Sequence, residues 1–233
     1  LCKITEDLFF LDPYCDHERN AINPPLRPAA EALWQDDRLK VEVADLKYAF
    51  LNRAEALLHG DLHSGSIFVT EQSTKVIDPE FAYFGPIGFD VGSVIGNLLL
   101  NWCGQHEQAG DAQERQDWRD WLLVQIDKLW HEFSREFSHL MAEQTVDESL
   151  QNPHWQARRM LQIWSDTLGF AGTELIRRTI GLAHVADLET IEDAARRAQC
   201  EAMALQLGRE LILQRNDIHS MTELLDLVRQ LND

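Results

Sequence analysis

The stretch Leu57–Asp90, LLHGDLHSGSIFVTEQSTKVIDPEFAYFGPIGFD, gathers acidic residues around one small β element. Two apolar runs, Ile67–Val69 and Lys75–Ile77, flank the polar turn-like segment EQST, which is the pattern of a short β-hairpin. Asp61 follows the apolar pair Leu57 and Leu58 and precedes the hairpin, whereas Asp78 and Glu80 come directly after it. Folding of the hairpin is expected to bring these carboxylates together. Gly60 permits a tight turn before Asp61, and Pro79 withholds a backbone donor between Asp78 and Glu80. Carboxylate oxygens suit Mg²⁺, which takes one or two of them and completes its shell with water and substrate phosphate. One acid beside such a metal pair is the minimum apparatus for phosphoryl transfer.

The rest of the chain sets limits on that chemistry. Its 233 residues, 45% of them hydrophobic, suffice for one large domain or two closely packed subdomains. A formal net charge of -18 argues against nucleic acid and against an anionic membrane surface, because either needs a basic stripe. An anionic small substrate therefore needs a metal or a few placed arginines. Cys2, Cys15, Cys103 and Cys200 show no CxxC spacing, so neither a zinc site nor a disulfide framework is indicated, which fits a reducing cytoplasm. The longest apolar run, Val94–Trp102, is interrupted by Gly96, Asn97 and Asn101 and falls short of the roughly 20 residues that span a bilayer. No signal-peptide pattern precedes it.

Outside the hairpin the periodicity is helical. A lead-in segment runs to Pro24, and helices are expected from Pro28, over 41–56 and over 91–103, the last apolar nearly all round and hence buried. A helix over 113–141 carries Trp118, Leu122, Ile126, Leu129 and Phe133 on one face. Another runs from Asn152-Pro153 to Gly181 with Trp155, Met160, Ile163 and Trp164 inward, and Gly169 and Gly172 permit close packing. A helix over 188–213 presents Ile191, Ala195, Ala198, Ala202, Leu205 and Leu211, and Ser220 with Glu223 forms a capping box that opens the final helix. The helical spacing of Trp118, Trp121, Trp130, Trp155 and Trp164 favours core packing over a sugar-stacking platform. The expected fold class is mainly α with a small β-hairpin element.

HGDLHSGSIFV followed by VIDPEFAYFGPIGFDVGSVIGNLL resembles the methylthioribose kinases, within the aminoglycoside-phosphotransferase-like branch of the protein-kinase fold. HGD stands where protein kinases have HRD. Ser66 occupies the position at which most of that branch carries a metal-binding asparagine, and DPE replaces the usual DxD or DFG-like triplet; the methylthioribose kinases share both departures. The resemblance implies that residues 1–233 form the carboxy-terminal lobe of a kinase-like α+β fold, with catalytic and metal-binding loops over 57–90. It further implies ATP-dependent phosphorylation of the anomeric hydroxyl of 5-methylthioribose in methionine salvage. Asp61 would orient that hydroxyl and accept its proton late, since an ordinary aspartate is a weak base for an alcohol. Asp78 and Glu80 would hold Mg²⁺ against the ATP phosphates, and Asp90 would support the catalytic loop. His59 and His63 would make fixed hydrogen bonds. Arg177 and Arg178 would contact the sugar and the transferring phosphate, with His184 and Asp187 shaping the same pocket. A cytoplasmic homodimer goes with the family.

Other readings compete with these. HGD or DPE alone is an ordinary turn, and Arg177-Arg178 alone is a solvated helix end favoured by the macrodipole. Zinc bound by His59, Asp61 and His63 is disfavoured because alternating positions on a tight turn diverge. A kinase acting on an aminoglycoside, choline or homoserine is opposed by Ser66, DPE and the arginine pair. A noncatalytic helical binding module is supported by the lack of any GxGxxG motif or strand lysine of the VAIK type. That lack, with Leu1 set in an apolar segment beside an interlobe hinge, leads to the expectation of a fragment of a longer kinase that is inactive by itself.

Overall fold

A computed structural model describes residues 2–108 and 110–231; Leu1, expected at the hinge, lies outside them. The segment read as a lead-in is in fact helical: α1 spans Cys2–Phe10 and buries Phe9 and Phe10. Next come α2 (Arg27–Gln35) and α3 (Asp37–Asn52), the second begun by Asp36, whose carboxylate accepts the Leu39 amide at 3.0 Å. The expected hairpin is present as β2 (Ile67–Val69) and β3 (Thr74–Val76), antiparallel with Phe68 opposite Lys75. A second ladder was not apparent from the sequence. Here β1 (Ala56–Leu58) pairs antiparallel with β4 (Tyr83–Gly85), Leu57 opposite Phe84, and so closes the 59–82 segment into one loop.

Helices make up the remainder. They are α4 (Gly88–Gly104), α5 (Ala112–Gln144), α6 (Pro153–Ile180), α7 (Ala186–Glu189), α8 (Ala194–Gln214) and α9 (Met221–Gln230). Asp111, Asn152 and Asp193 cap α5, α6 and α8 by accepting amide hydrogen bonds in the first turn. At α9 the Ser220 hydroxyl accepts the Glu223 amide at 3.2 Å, but the Glu223 carboxylate takes the His219 amide at 2.6 Å, one residue earlier than in a regular capping box. The helix expected over 188–213 is broken at Thr190–Asp193 into α7 and α8. Its buried face is Cys200, Ala204, Leu207 and Leu211; of the face read from the sequence, Ile191, Leu205 and Leu211 are buried, whereas Ala195 and Ala202 are exposed. Trp118 and Trp121 also depart from expectation: 46% and 48% exposed, they stack on each other at 4.8 Å. Trp102 and Trp164 are core residues as read.

The long helix α6 runs through the centre. Its residues Ile163–Arg177 are buried on every side, against α4 on one flank and α8 on another. An aromatic cluster around Phe89, with Phe9, Phe50 and Phe170 at 5.0–5.2 Å, joins α1, α3, α4 and α6. A second apolar core joins α4, α5, α6, α8 and α9. The buried Asp166 on α6 is held by Arg53 at 2.7 and 2.8 Å, and Glu55 pairs with Arg159 and accepts the Ile87 amide, so the Ala56–Gly85 end of the β1–β4 ladder is tied to the helical body.

The α4–α6 contact depends on Gly88, Gly92 and Gly96, one helical turn apart. A Cβ at Gly92 would stand 2.6 Å from the Thr167 carbonyl oxygen, and one at Gly96 would stand 2.8 Å from Glu174 Cβ. Side chains there would force the helices apart. Gly92→Val is expected to cost at least about 2 kcal/mol, as overpacking of a tight core does. Gln116→Ala on the exposed side of α5 should stay within about 0.5 kcal/mol. Urea unfolding of both variants measures the difference.

Candidate active site

The loop His59–Ser66 is held from below by α4. Asp90, in its first turn, accepts the amide of His59 at 2.6 Å and that of Gly60 at 3.0 Å, one on each carboxylate oxygen. Burial pushes the Asp90 carboxyl up from its ordinary value, an effect that the two amides partly offset. Gly60 has φ +84°, and a Cβ there would meet the Phe81 carbonyl oxygen at 2.2 Å, so only glycine fits. His59 Nδ1 receives the Asp61 amide at 3.4 Å, which leaves Nε2 to donate to the Ile77 carbonyl at 2.8 Å. One imidazole thereby joins the Asp61 loop to the Asp78 loop. Ser66 is buried, with its amide donating to the His63 carbonyl at 2.9 Å and its carbonyl accepting from the Ile77 amide at 3.0 Å.

Among the described residues no group of three or more His, Cys, Asp or Glu side chains, Asp61 with Asp78 and Glu80 included, could hold a metal. Instead Asp61 faces cations. Its Oδ1 accepts Arg177 Nη2 at 3.0 Å and lies 3.4 Å from Arg178 Nη2, although the arginines are more than a hundred residues away in the chain. Its Oδ2 lies 3.9 Å from His63 Nε2. His63 Nδ1 accepts the Gly65 amide at 3.1 Å, so in the neutral ring Nε2 bears the proton, on the side of Asp61 Oδ2. Burial draws the His63 pKa below its ordinary value; Asp61 pulls it up and Arg178 pushes it down.

Two residues that the sequence reading did not single out complete the site. Glu174, fully buried, binds Arg177 Nε at 2.5 Å and Arg178 Nε at 2.9 Å. Burial would raise its pKa, but the two arginine charges more than offset this and hold it below the ordinary glutamate value. Asn97 on α4 donates to Glu174 at 2.8 Å and accepts from Ser64 at 3.4 Å. The signal for Glu174 is its spacing: glutamate three and four residues before two arginines is a helical ion-pair pattern. Phe9 lies under the Arg177 guanidinium at 3.9 Å.

Asp78 and Glu80 are exposed and their carboxylates make no hydrogen bond to any described residue, and Asp78 has φ +64°. Two uncommitted carboxylates match what magnesium takes from a protein when phosphate and water supply the rest. His184 pairs with Glu189 and Asp187 with Asn101, so neither contacts Asp61. Among the described residues no helix is long and apolar enough to cross a membrane.

The phosphotransferase enzyme family (APH) matches over residues 3–125, more than half of the 233-residue chain. Methylthioribose kinase of Yersinia enterocolitica serotype O:8 / biotype 1B is 53% identical over 230 residues, 99% of this chain and 57% of that protein. Methylthioribose kinases of Klebsiella pneumoniae subsp. pneumoniae and Enterobacter sp. (strain 638) are 52% and 50% identical, each over 232 residues, with the same coverage. The chain thus spans 57% of the length of these curated relatives.

Asp90→Ala would strip the acceptor from two loop amides and is expected to cost about 1–3 kcal/mol, with Asp90→Asn costing less; denaturant unfolding reads both. Nitrogen-15 NMR of His63 should give a titration midpoint below 6.5, falling further in Asp61→Asn. The unfolded chain binds that proton more readily. The His63 contribution to stability is therefore present above the ordinary imidazole value and lost as pH falls through the folded midpoint.

Proposed function

Because this chain belongs to the phosphotransferase enzyme family, we propose that it supplies the acceptor-binding and metal-binding lobe of a kinase that transfers the γ-phosphoryl group of ATP to the anomeric hydroxyl of 5-methylthioribose, in methionine salvage. The observation that carries the reading is Asp61 held on one oxygen by Arg177 and Arg178, in a loop that His59 ties to the one bearing the exposed carboxylates Asp78 and Glu80. The relatives' printed name supports the acceptor. Their greater length supports assigning a nucleotide-covering lobe to the part of such a protein outside the match. Phe68, Val69, Val76 and Ile77, exposed on the hairpin, provide an apolar surface for that lobe and the nucleotide to rest on.

In this reading Asp61 Oδ1 is occupied by the arginines, so Oδ2 receives the acceptor hydroxyl. The hydroxyl oxygen forms a bond to the γ-phosphorus, the bond from that phosphorus to the β-γ bridging oxygen breaks, and ADP leaves. The hydroxyl proton passes to Oδ2. His63 keeps its N–H turned to the same oxygen and stabilises the carboxylate before transfer. Arg177 and Arg178 oppose charge on the transferring group, which an acidic chain otherwise repels. Asp78 and Glu80 would hold magnesium, which when bound offsets charge between the phosphate oxygens. The reading also assigns the protein to the cytoplasm as a homodimer, which its free cysteines fit.

The test is turnover by an enzyme of the relatives' full length that carries this chain, with ATP, magnesium and a panel of 5-methylthioribose, an aminoglycoside, choline and homoserine. Methylthioribose alone is expected to be phosphorylated, and Asp61→Asn to lose about 10²–10⁴-fold in kcat. Phosphorylation of another panel member instead would transfer the reading to that acceptor. No nucleotide-dependent turnover at all would leave a binding module. This chain alone is expected to show no turnover.

A further inference from the structure

Resting on the function just proposed, we infer that Glu174, together with Asn97, is a positioning residue that fixes where the two guanidiniums meet the transferring group. Each arginine gives Nε to Glu174 and Nη2 to Asp61. Nη1 of both is left without a hydrogen bond to any described residue, on side chains that are otherwise largely buried. A guanidinium is planar, so fixing Nε and one Nη fixes the direction of the other. Two planes fixed by one buried carboxylate make a rigid two-pronged donor.

Several contacts prevent that carboxylate from moving. Gly96 leaves a slot so narrow that a Cβ there would sit 2.8 and 2.9 Å from Glu174 Cβ and Cγ. Asn97 Nδ2 holds Oε1 at 2.8 Å and is itself fixed by the Ser93 carbonyl at 3.1 Å. Phe9 closes the far face of Arg177 at 3.9 Å. The formal charges of Asp61, Glu174, Arg177 and Arg178 balance, so this buried cluster needs no outside counter-ion. Asn97 Oδ1 accepts from Ser64, which lies in the Asp61 loop, so the arginines and the loop share one reference point on α4. A carboxylate whose only task was to neutralise the arginines would need neither the slot nor the asparagine.

Glu174→Gln keeps the shape but places an amide NH₂ against one guanidinium Nε, so one of the planes must turn. The experiment uses this chain, with inorganic phosphate as probe and nitrogen-15 NMR of arginine Nε–Hε groups as a second readout. Wild type is expected to show two exchange-protected Nε–Hε signals and to bind phosphate. Glu174→Gln should lose one of them and weaken phosphate about tenfold, the effect of one charged hydrogen bond, while melting cooperatively. Asn97→Ala should weaken phosphate less and shift the Arg178 signal, which decides the matter if Glu174→Gln does not fold. In an enzyme of the relatives' full length, Glu174→Gln should lower kcat with KM for ATP within about twofold of wild type, and Glu174→Asp should restore part of the loss. Folded variants with both signals intact and wild-type phosphate affinity would overturn the inference. Failure of the wild-type chain to bind phosphate would count against the proposed function instead, and the Nε–Hε signals would still judge the orientation.

Discussion

Gly88, Gly92 and Gly96 let α4 lie against α6 at a distance that no side chain would permit, and this contact places every group of the candidate site. From α4, Asp90 reaches up to the amides of His59 and Gly60, and Asn97 reaches across to Glu174. From α6, Glu174, Arg177 and Arg178 reach towards Asp61. A wider spacing between the helices would break the Asn97–Glu174 bond and part the arginines from the loop that α4 carries. The site is therefore assembled by packing rather than by its loops, as a precise constellation requires.

Burial makes this arrangement strict. Glu174 and Arg177 are almost wholly removed from water, where an unpaired charge would cost several kcal/mol. Each of the four charges in the cluster is matched by an opposite one, and Asn97, itself held by Ser93 and Ser64, adds a hydrogen bond to Glu174. Asp78 and Glu80 present the opposite case, exposed and with carboxylates that no described residue partners, as suits groups that would bind an external ion. The net charge of -18 makes the contrast functional. An acidic protein can admit phosphate only where its few cations are held forward, and here they are held by a buried acid.

Much of this was legible along the chain. Hairpin, long helices, caps and the HGD, DPE and GFD motifs follow from local spacing, which depends only on neighbouring residues. Several features were not legible, for physical reasons. The β1–β4 ladder joins strands of three residues that are 24 residues apart, too short to show periodicity. Trp118 and Trp121 have the spacing of a buried face, but they stack on each other at the surface, since burial depends on what lies opposite. On α8 the expected Leu205 and Leu211 are buried but Ala195 and Ala202 are not, because alanines occur on both sides of that helix and the side that meets α6 is the one where Gly208 packs on Gly172.

The sequence by itself determined the chemistry on offer: Asp61 after a glycine that alone tolerates its turn, two acids around a proline, two adjacent arginines and a glutamate at helical spacing before them. It also determined that the body is helical, since periodicity is a local property. Only the tertiary structure decided partnership. It set Asp61 against Arg177 and Arg178, more than a hundred residues further along the chain, and left Asp78 and Glu80 exposed. The reason is that attraction across space depends on which helix faces lie within a few ångströms, and the distance between α4 and α6 is set by the glycines of α4, far in the chain from the arginines.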